Sequence, residues 1–225
     1  MIEELLPDAV VTVEAYGEED AEAALYPEEA AVVARAVDKR RREFAAVRLC
    51  ARRAMEKLGV AAQPLVPGER GAPRWPEGLA GSMTHCDGYC AAALVRAADL
   101  ASLGIDAEPN APLPDGVMAA VSLPGEAQRV SRLSQERPDI RWDRLLFSAK
   151  ESVYKAWFPL TGKWLDFTEA DIDLYLDAPG RSGGGFSAAL LVPGPQVGAR
   201  RVGVFEGRWT VEHGLVATAV TVPHG

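Results

Sequence analysis

At 225 residues with a net charge of −8, 48% hydrophobic and 25% charged, the chain is in the ordinary globular range, long enough for one domain or two lobes sharing a core. That acidity argues against a general nucleic-acid binder, which carries a basic stripe, and no apolar run approaches the roughly 20 residues that span a bilayer. The opening MIEELLPD lacks the basic and apolar parts of a secretory leader, so the expected compartment is cytoplasmic. Cys50, Cys86 and Cys90 make no disulfide framework. With His85 they lack CxxC spacing and a second ligand pair, so they read as small buried thiols rather than a zinc site.

In chain order, residues 27–58 have a helical pattern, with Pro27 at the entry and Gly59 just past the end. Phe44, Val47, Ala51, Ala54 and Leu58 recur at three- and four-residue spacing and predict a buried stripe. Flanking it is the densest positive stretch of the chain: Lys39, Arg40, Arg41, Arg42, Arg48, Arg52 and Arg53. Residues 63–81 are rich in proline and glycine and read as loop. Residues 89–95 and 103–107 read as short buried strands joined by AADLAS as a hairpin. A helix over 116–133 breaks at Pro124. The next is expected to start at Asp139, to carry the apolar stripe Trp142, Leu146, Ala149, Val153 and Trp157, and to stop at Pro159. DIDLYLD, GFSAALLV, RWTVEHG and LVATAVTV then predict strands of a meander. RSGGG at 181–185 reads as a flexible turn, and no Lys-Ser/Thr pair or helix follows to make it a Walker-type loop. Each half thus holds a long amphipathic helix and several strands, which fits two α+β lobes with a cleft between them.

In SLGIDAEP, Asp106 and Glu108 are two positions apart on a strand, so both carboxylates point to one face, about 6–7 Å apart at the backbone. Alone they read more simply as two solvated acids at a strand end. If Glu151 of the later helix faces them, three carboxylates make a site for a hard divalent cation, and Mg2+ is usually held by one or two carboxylates plus waters and substrate phosphates. Glu151 has a plainer alternative in an i,i+4 pair with Lys155, worth about 0.3–0.5 kcal/mol. Arginine forks match phosphate oxygens, and His85 at the end of SMTH is able to donate to a phosphate as imidazolium. Acid and basic clusters together suggest a Mg2+-dependent reaction on a polyphosphate, without saying which.

GIDAEP, followed about forty residues later by FSAKESVYKAW, resembles the paired signature of the phosphopantetheinyl transferases, G-(I/V)-D-x-E and (W/F)-x-x-K-E-x-x-x-K. RRREFAAVRLCARRA, ERGAPRWPEG and GSMTHC resemble the corresponding segments, and the likeness, running from about residue 40 to 164, is greatest to actinobacterial members related to the enterobactin-synthetase component. The resemblance implies a pseudo-two-fold α+β fold, with lobes over 1–103 and 104–225. It also implies coenzyme A in the cleft, Mg2+ (or Mn2+) on its pyrophosphate, and transfer of the 4'-phosphopantetheine arm to a serine of an apo carrier protein, releasing adenosine 3',5'-bisphosphate. The implied partners are carrier proteins or domains of fatty-acid, polyketide or nonribosomal peptide synthases, including siderophore pathways, with the enzyme a monomer and no nucleic-acid or membrane partner.

Carried over by position, Asp106, Glu108 and Glu151 resemble the metal-binding acids, with Asp106 and Glu151 also at coenzyme A. Glu151 is the candidate base and Lys155 the lysine that meets the phosphates, with Lys150 adjacent. Arg40 and Arg48 resemble the arginines on the 3'-phosphate side of coenzyme A, and Thr84 and His85 the segment at its adenosine diphosphate portion. Several relatives have a lysine where this chain reads PGERGAPRW, so Arg70, with Glu69 and Gly71, is the expected substitute contact. Ala107, between the two acids, offers no side-chain ligand. Two rival readings remain at this stage: a Mg2+-dependent phosphohydrolase that shares the acids, and a non-catalytic coenzyme A or carrier-binding module.

Overall fold

Each half of the chain supplies one 20-residue helix and lays it on an antiparallel sheet. The computed structural model describes residues 1–17, 24–178, 180 and 182–225. The N-terminal half contains β1 (Val11–Tyr16), α1 (Pro27–Val32), α2 (Asp38–Lys57), β2 (Leu79–Cys86) and β3 (Tyr89–Arg96). The C-terminal half contains β4 (Ser102–Pro109), α3 (Val117–Val121), α4 (Pro124–Glu136), α5 (Trp142–Thr161), β5 (Ala170–Leu176) and β6 (Gly183–Leu190). It ends with the short pair β7 (Gln196–Val197) and β8 (Arg200–Arg201), then β9 (Val204–Glu212) and β10 (Leu215–Val222). The sheet orders are β1-β3-β2 and β4-β10-β9-β6-β5. In both, the first strand of the half pairs antiparallel with the last, β1 with β3 and β4 with β10. This common plan is the pseudo-two-fold α+β arrangement that the resemblance implies. The expected boundary at 103/104 falls inside β4, which opens at Ser102.

The expected hairpin between 89–95 and 103–107 does not form: β3 pairs with β1 and β2, while β4 pairs with β10. The reason lies in the unbroken apolar run YCAAALV. Cys90, Ala92 and Leu94 of β3 pack into the core under α2, and Ala91, Ala93 and Val95 into a second core shared by the two halves. Leu103, Ile105 and Ala107 of β4 and Leu215, Ala217 and Ala219 of β10 complete that shared core. A strand buried on both faces reads as a continuous apolar run. Here it meets its chain neighbour β4 across a packed interface instead of along a ladder.

Other expectations shift locally. The predicted helix over 27–58 is two helices, interrupted where Val37 takes an extended conformation as the cap of α2. α5 starts at Trp142 rather than Asp139, and it runs through Pro159 to Thr161, closing on Gly162 in the left-handed region with its N–H bonded to Phe158 O at 2.8 Å. Pro159 has no N–H to give, so the helix runs past it at the cost of one i→i−4 bond near its C-terminus. Gly183, Gly184 and Gly185 are not a turn but the start of β6, while Arg181 of that expected turn lies outside the described residues. A Cβ on Gly184 would stand 2.0 Å from Tyr175 O, so the neighbouring strand β5 requires glycine there. The four meander strands are β5, β6, β9 and β10, and the expected α5 stripe is buried from Trp142 to Trp157, with Trp142 edge-on to Trp209 at 5.3 Å.

Candidate active site

Strand alternation along β4 aims Leu103, Ile105 and Ala107 into the shared core and Ser102, Gly104 and Asp106 at α5. The glycine of GIDAEP is required for this contact: a Cβ on Gly104 would lie 2.0 Å from Ser152 O and 2.7 Å from Ala156 N. Backbone-to-backbone approach brings Asp106 under Lys155, whose Nζ donates to Asp106 Oδ1 at 2.7 Å and Ile105 O at 3.0 Å. On the other side, Thr84 Oγ1 donates to Asp106 Oδ1 at 3.3 Å and accepts from Ala107 N at 3.1 Å. Ser82 Oγ accepts from Ile105 N at 3.0 Å. Side chains of β2 thus satisfy the backbone of β4 and tie the two halves together behind Asp106.

Above this junction opens a cleft of about 540 Å3. α2 contributes Arg40, Phe44 and Arg48, and the 67–75 loop contributes Arg70, Gly71 and Trp75. Ser82, Met83 and His85 come from β2, and Glu151, Tyr154, Lys155 and Phe158 from α5. The last four lie at i, i+3, i+4 and i+7, one face of a helix. Arg70 reaches across to stand over the Trp164 ring at 5.4 Å, bridging the two halves at the rim. Glu69 is exposed and does not line the cleft.

The cleft combines several cationic side chains with one carboxyl of raised pKa. Arg48 is buried, stacked over Phe44 at 3.1 Å, and donates to Leu65 O at 3.1 Å and Phe44 O at 3.4 Å. Burial lowers its pKa to about 10, which leaves it cationic at neutral pH. Burial raises the Glu151 carboxyl above the usual range; Lys155 draws it back and the charge of Asp106 pushes it up again. His85 departs from the imidazolium expected of it. Burial, then the charge of Arg40, hold it below its ordinary pKa, and its Nε2 lies 2.6 Å from Arg40 Nη1. Since a guanidinium has no acceptor, Nε2 is the acceptor and His85 is neutral here.

Three further expectations meet a different geometry. Lys150 is turned away from the cleft: its ammonium is buried and donates to Phe167 O at 2.5 Å and Ala170 O at 2.9 Å, with Glu126 Oε1 at 2.9 Å. Five residues from Lys155 is well off that residue's helix face, which is the physical reason. Thr84 is buried and works through Asp106 rather than lining the cleft. Glu108 points to Arg144, with Oε2 at 3.0 Å from Nη1, and does not line the cleft either. Among the described residues no group of three or more His, Cys, Asp or Glu side chains stands close enough to hold a metal.

A two-carboxylate site for Mg2+ nevertheless fits what is present. Among the described residues Asp106 Oδ2 is buried with no hydrogen-bond partner, which is costly for a carboxylate oxygen, and a cation would satisfy it. Asp106 and Glu151 supply hard oxygen donors of the kind Mg2+ takes alongside waters and phosphates.

Residue-level reading had not picked out Tyr154, Phe158, Met83 and Trp75. Tyr154 carries the clearest sign: its hydroxyl is buried without a partner among the described residues, and its place three residues after Glu151 was a signal available in the sequence.

Comparison with known proteins agrees with this arrangement. A family model described as the 4'-phosphopantetheinyl transferase N-terminal domain matches residues 28–95, and one described as the 4'-phosphopantetheinyl transferase superfamily matches residues 102–183. The chain is 59% identical over 224 residues to 4'-phosphopantetheinyl transferase Svp of Streptomyces mobaraensis, covering 99% of this chain and 89% of that protein. It is 46% identical over 196 residues to 4'-phosphopantetheinyl transferase PptT of Mycobacterium tuberculosis, with coverage of 87% and 85%. To 4'-phosphopantetheinyl transferase Npt of Nocardia iowensis it is 46% identical over 224 residues, with coverage of 98% and 99%. With both family models matched in chain order, one on each half and meeting across this cleft, the chain belongs to the 4'-phosphopantetheinyl transferase family.

Proposed function

We propose that the cleft holds coenzyme A, with Mg2+ (or Mn2+) at its pyrophosphate, and that the protein transfers the 4'-phosphopantetheine group to a serine of an apo carrier protein. One observation carries this reading: Glu151 and Lys155 of α5 share a cleft with Arg40, Arg48 and His85 of the other half, and Lys155 donates to Asp106, which does not itself line the cleft and whose second oxygen is buried without a partner among the described residues. Neither rival from the sequence has an observation in its favour. A hydrolase would need no carrier protein, and a non-catalytic module would be expected to have lost an acid or Lys155.

In the proposed reaction Glu151 accepts the proton of the carrier serine as its oxygen attacks the phosphorus that bears the pantetheine arm. The new P–O bond forms as the pyrophosphate P–O bond breaks, and adenosine 3',5'-bisphosphate leaves. Burial suits Glu151 to this role, because a raised pKa makes a carboxylate a better proton acceptor near neutral pH. Lys155 neutralises phosphate charge, and Asp106 holds its ammonium in place. Arg40 and Arg48 bind the distant end of coenzyme A, and Arg70 with Gly71 forms part of the rim. When bound, Mg2+ supplies Lewis-acid polarisation of the pyrophosphate, with Asp106 and Glu151 as its protein ligands.

The natural acceptors are carrier domains of fatty-acid, polyketide or nonribosomal peptide synthases. The reading puts the enzyme in the cytoplasm as a monomer, since both halves of the cleft come from one chain. Among the described residues no helix is long and apolar enough to cross a membrane. The test is incubation with coenzyme A, Mg2+ and an apo carrier, followed by mass measurement of the carrier serine. Wild type adds the arm. Glu151→Gln binds coenzyme A yet transfers about 100-fold more slowly or worse, the scale of lost general-base help. Near wild-type transfer by Glu151→Gln would remove the base assignment.

A further inference from the structure

Two thiols meet in the core under α2. Cys50 on α2 and Cys90 on β3 are both buried, and their Sγ atoms stand 3.7 Å apart. They are 40 residues apart in sequence, so the contact exists only in the folded chain. The third cysteine faces the other way. Cys90 points into the core under α2, whereas Cys86, at the end of β2, packs against the core shared by the two halves. Burial, with the charges of Glu108, Asp106 and Asp87, pushes the Cys86 thiol up to about 12, which keeps it protonated and a poor nucleophile. Cys50 is wholly shielded, but Cys90 lines a cavity of about 300 Å3 beside the β2–β3 turn. Exposed Lys39, Arg42 and Asp87 form its rim, and the small residues Ala46 and Gly88 its wall. A small oxidant entering there reaches Cys90 before Cys50.

We propose that Cys50 and Cys90 form an oxidation site, at which a hydroperoxide entering this cavity closes a reversible disulfide between α2 and β3. The Cys90 sulfur attacks the peroxide, whose O–O bond breaks. Water or an alcohol leaves with the thiol proton, and Cys90 becomes a sulfenic acid. The Cys50 sulfur then attacks the sulfur of Cys90. The S–S bond forms as the S–O bond breaks, and the hydroxyl leaves as water with the Cys50 proton. Two thiols are oxidised and one peroxide is reduced, two electrons in all. The sulfurs must close by about 1.7 Å to reach the roughly 2.05 Å of a disulfide. That core also holds Ala51, Ala54 and Ala92, whose methyl groups are small obstacles to the side-chain rotation required. The bond ties the helix that carries Arg40 and Arg48 to the hairpin that carries His85. Oxidation therefore fixes the N-terminal wall of the cleft, and it spares Cys90 the irreversible step to a sulfinic acid.

The test is intact mass and peptide mapping of the full chain, first reduced and then exposed to hydrogen peroxide at neutral pH. Wild type loses the mass of two hydrogens, the non-reducing map shows the Cys50 and Cys90 peptides joined, and dithiothreitol reverses both. The linked form melts above the reduced one by roughly 5–15 °C, the scale of a disulfide in a chain of this size. Cys86→Ala behaves as wild type. Cys50→Ala, which removes the resolving thiol, instead gives a sulfenic acid on Cys90 that dimedone traps. The wild-type map decides the matter even if that variant folds poorly. The inference is overturned if the folded wild type keeps both thiols at a peroxide dose that oxidises them in the urea-unfolded chain. A bond that maps to Cys86 overturns it too, as does a linked form that melts no higher than the reduced one.

Discussion

Helix α5 carries two lysines five residues apart with opposite fates, and the regions around them differ in one respect. Around Lys150 the ammonium and its counter-charge are both matched. Its ammonium meets Phe167 O, Ala170 O and Glu126, and Glu126 in turn accepts from Ile172 N and Leu123 N, both at 2.7 Å. Around Lys155 the matching is incomplete among the described residues: Asp106 keeps a buried oxygen without a partner, and the nearby Tyr154 hydroxyl has none either. A fully satisfied buried network fixes structure, whereas unsatisfied buried groups beside a cleft mark where a ligand completes the bonding. Two similar charges on one helix are thus told apart by their hydrogen-bond partners, not by their residue type.

The sharpest way to break this contrast is Lys150→Met. It strands Glu126, wholly buried, without its counter-charge, and breaking a buried pair from one side costs about 3–5 kcal/mol. A denaturation midpoint should fall accordingly, with coenzyme A affinity of the folded protein little changed. Adding Glu126→Gln should recover part of the loss, because it removes the stranded charge while its amide oxygen still accepts from a backbone N–H. If Lys150→Met instead keeps its stability and loses coenzyme A binding as Lys155→Met does, the two regions are not different in kind.

On the cleft side, Arg48→Ala should weaken coenzyme A binding by roughly 1.5–3 kcal/mol, the scale of a charge-assisted contact. Dephospho-coenzyme A, which lacks the 3'-phosphate, should bind the variant and wild type alike in calorimetry. Equal losses for both substrates would make Arg48 structural, a role its bonds to Leu65 O and Phe44 O already show in part.

The smallest effect concerns His85. Its folded pKa is depressed by burial and by Arg40, so below the unfolded value the denatured chain takes up a proton that the native protein refuses. Stability contributed by neutral His85 is present above the unfolded pKa, near 6.5, and is lost as pH falls from there through the folded pKa. Melting temperature recorded from pH 7.5 down to 5 should decline in that window, and His85→Asn should flatten the decline. A variant curve parallel to wild type would show that His85 is not the group responsible.

The α+β class, the long helices α2 and α5 and the C-terminal meander were legible because their signals are local: apolar spacing near 3.6 or 2, and glycine and proline at the ends. The proposed site residues Asp106, Glu151 and Lys155 stood out through the family signature, and periodicity fixed only that Glu151 and Lys155 share a helix face, which lines the cleft with Asp106 bonded to Lys155. What periodicity leaves open is which faces meet. The short connection after β3 looked like a hairpin, but packing of alanine-rich faces sent β4 to another sheet. Lys150, Arg52 and Glu108 looked like free surface or site charges. Lys150 and Arg52 find buried partners in Glu126 and Glu29, and Glu108 is held by Arg144. Each partner is at least 20 residues away in sequence, beyond the reach of any local pattern. The sequence by itself determined the long helices, the meander strands and which side chains share a helix or strand face. Tertiary structure alone decided which charges pair, because the energy of a buried charge depends on the partners and solvent exclusion that only the assembled fold creates.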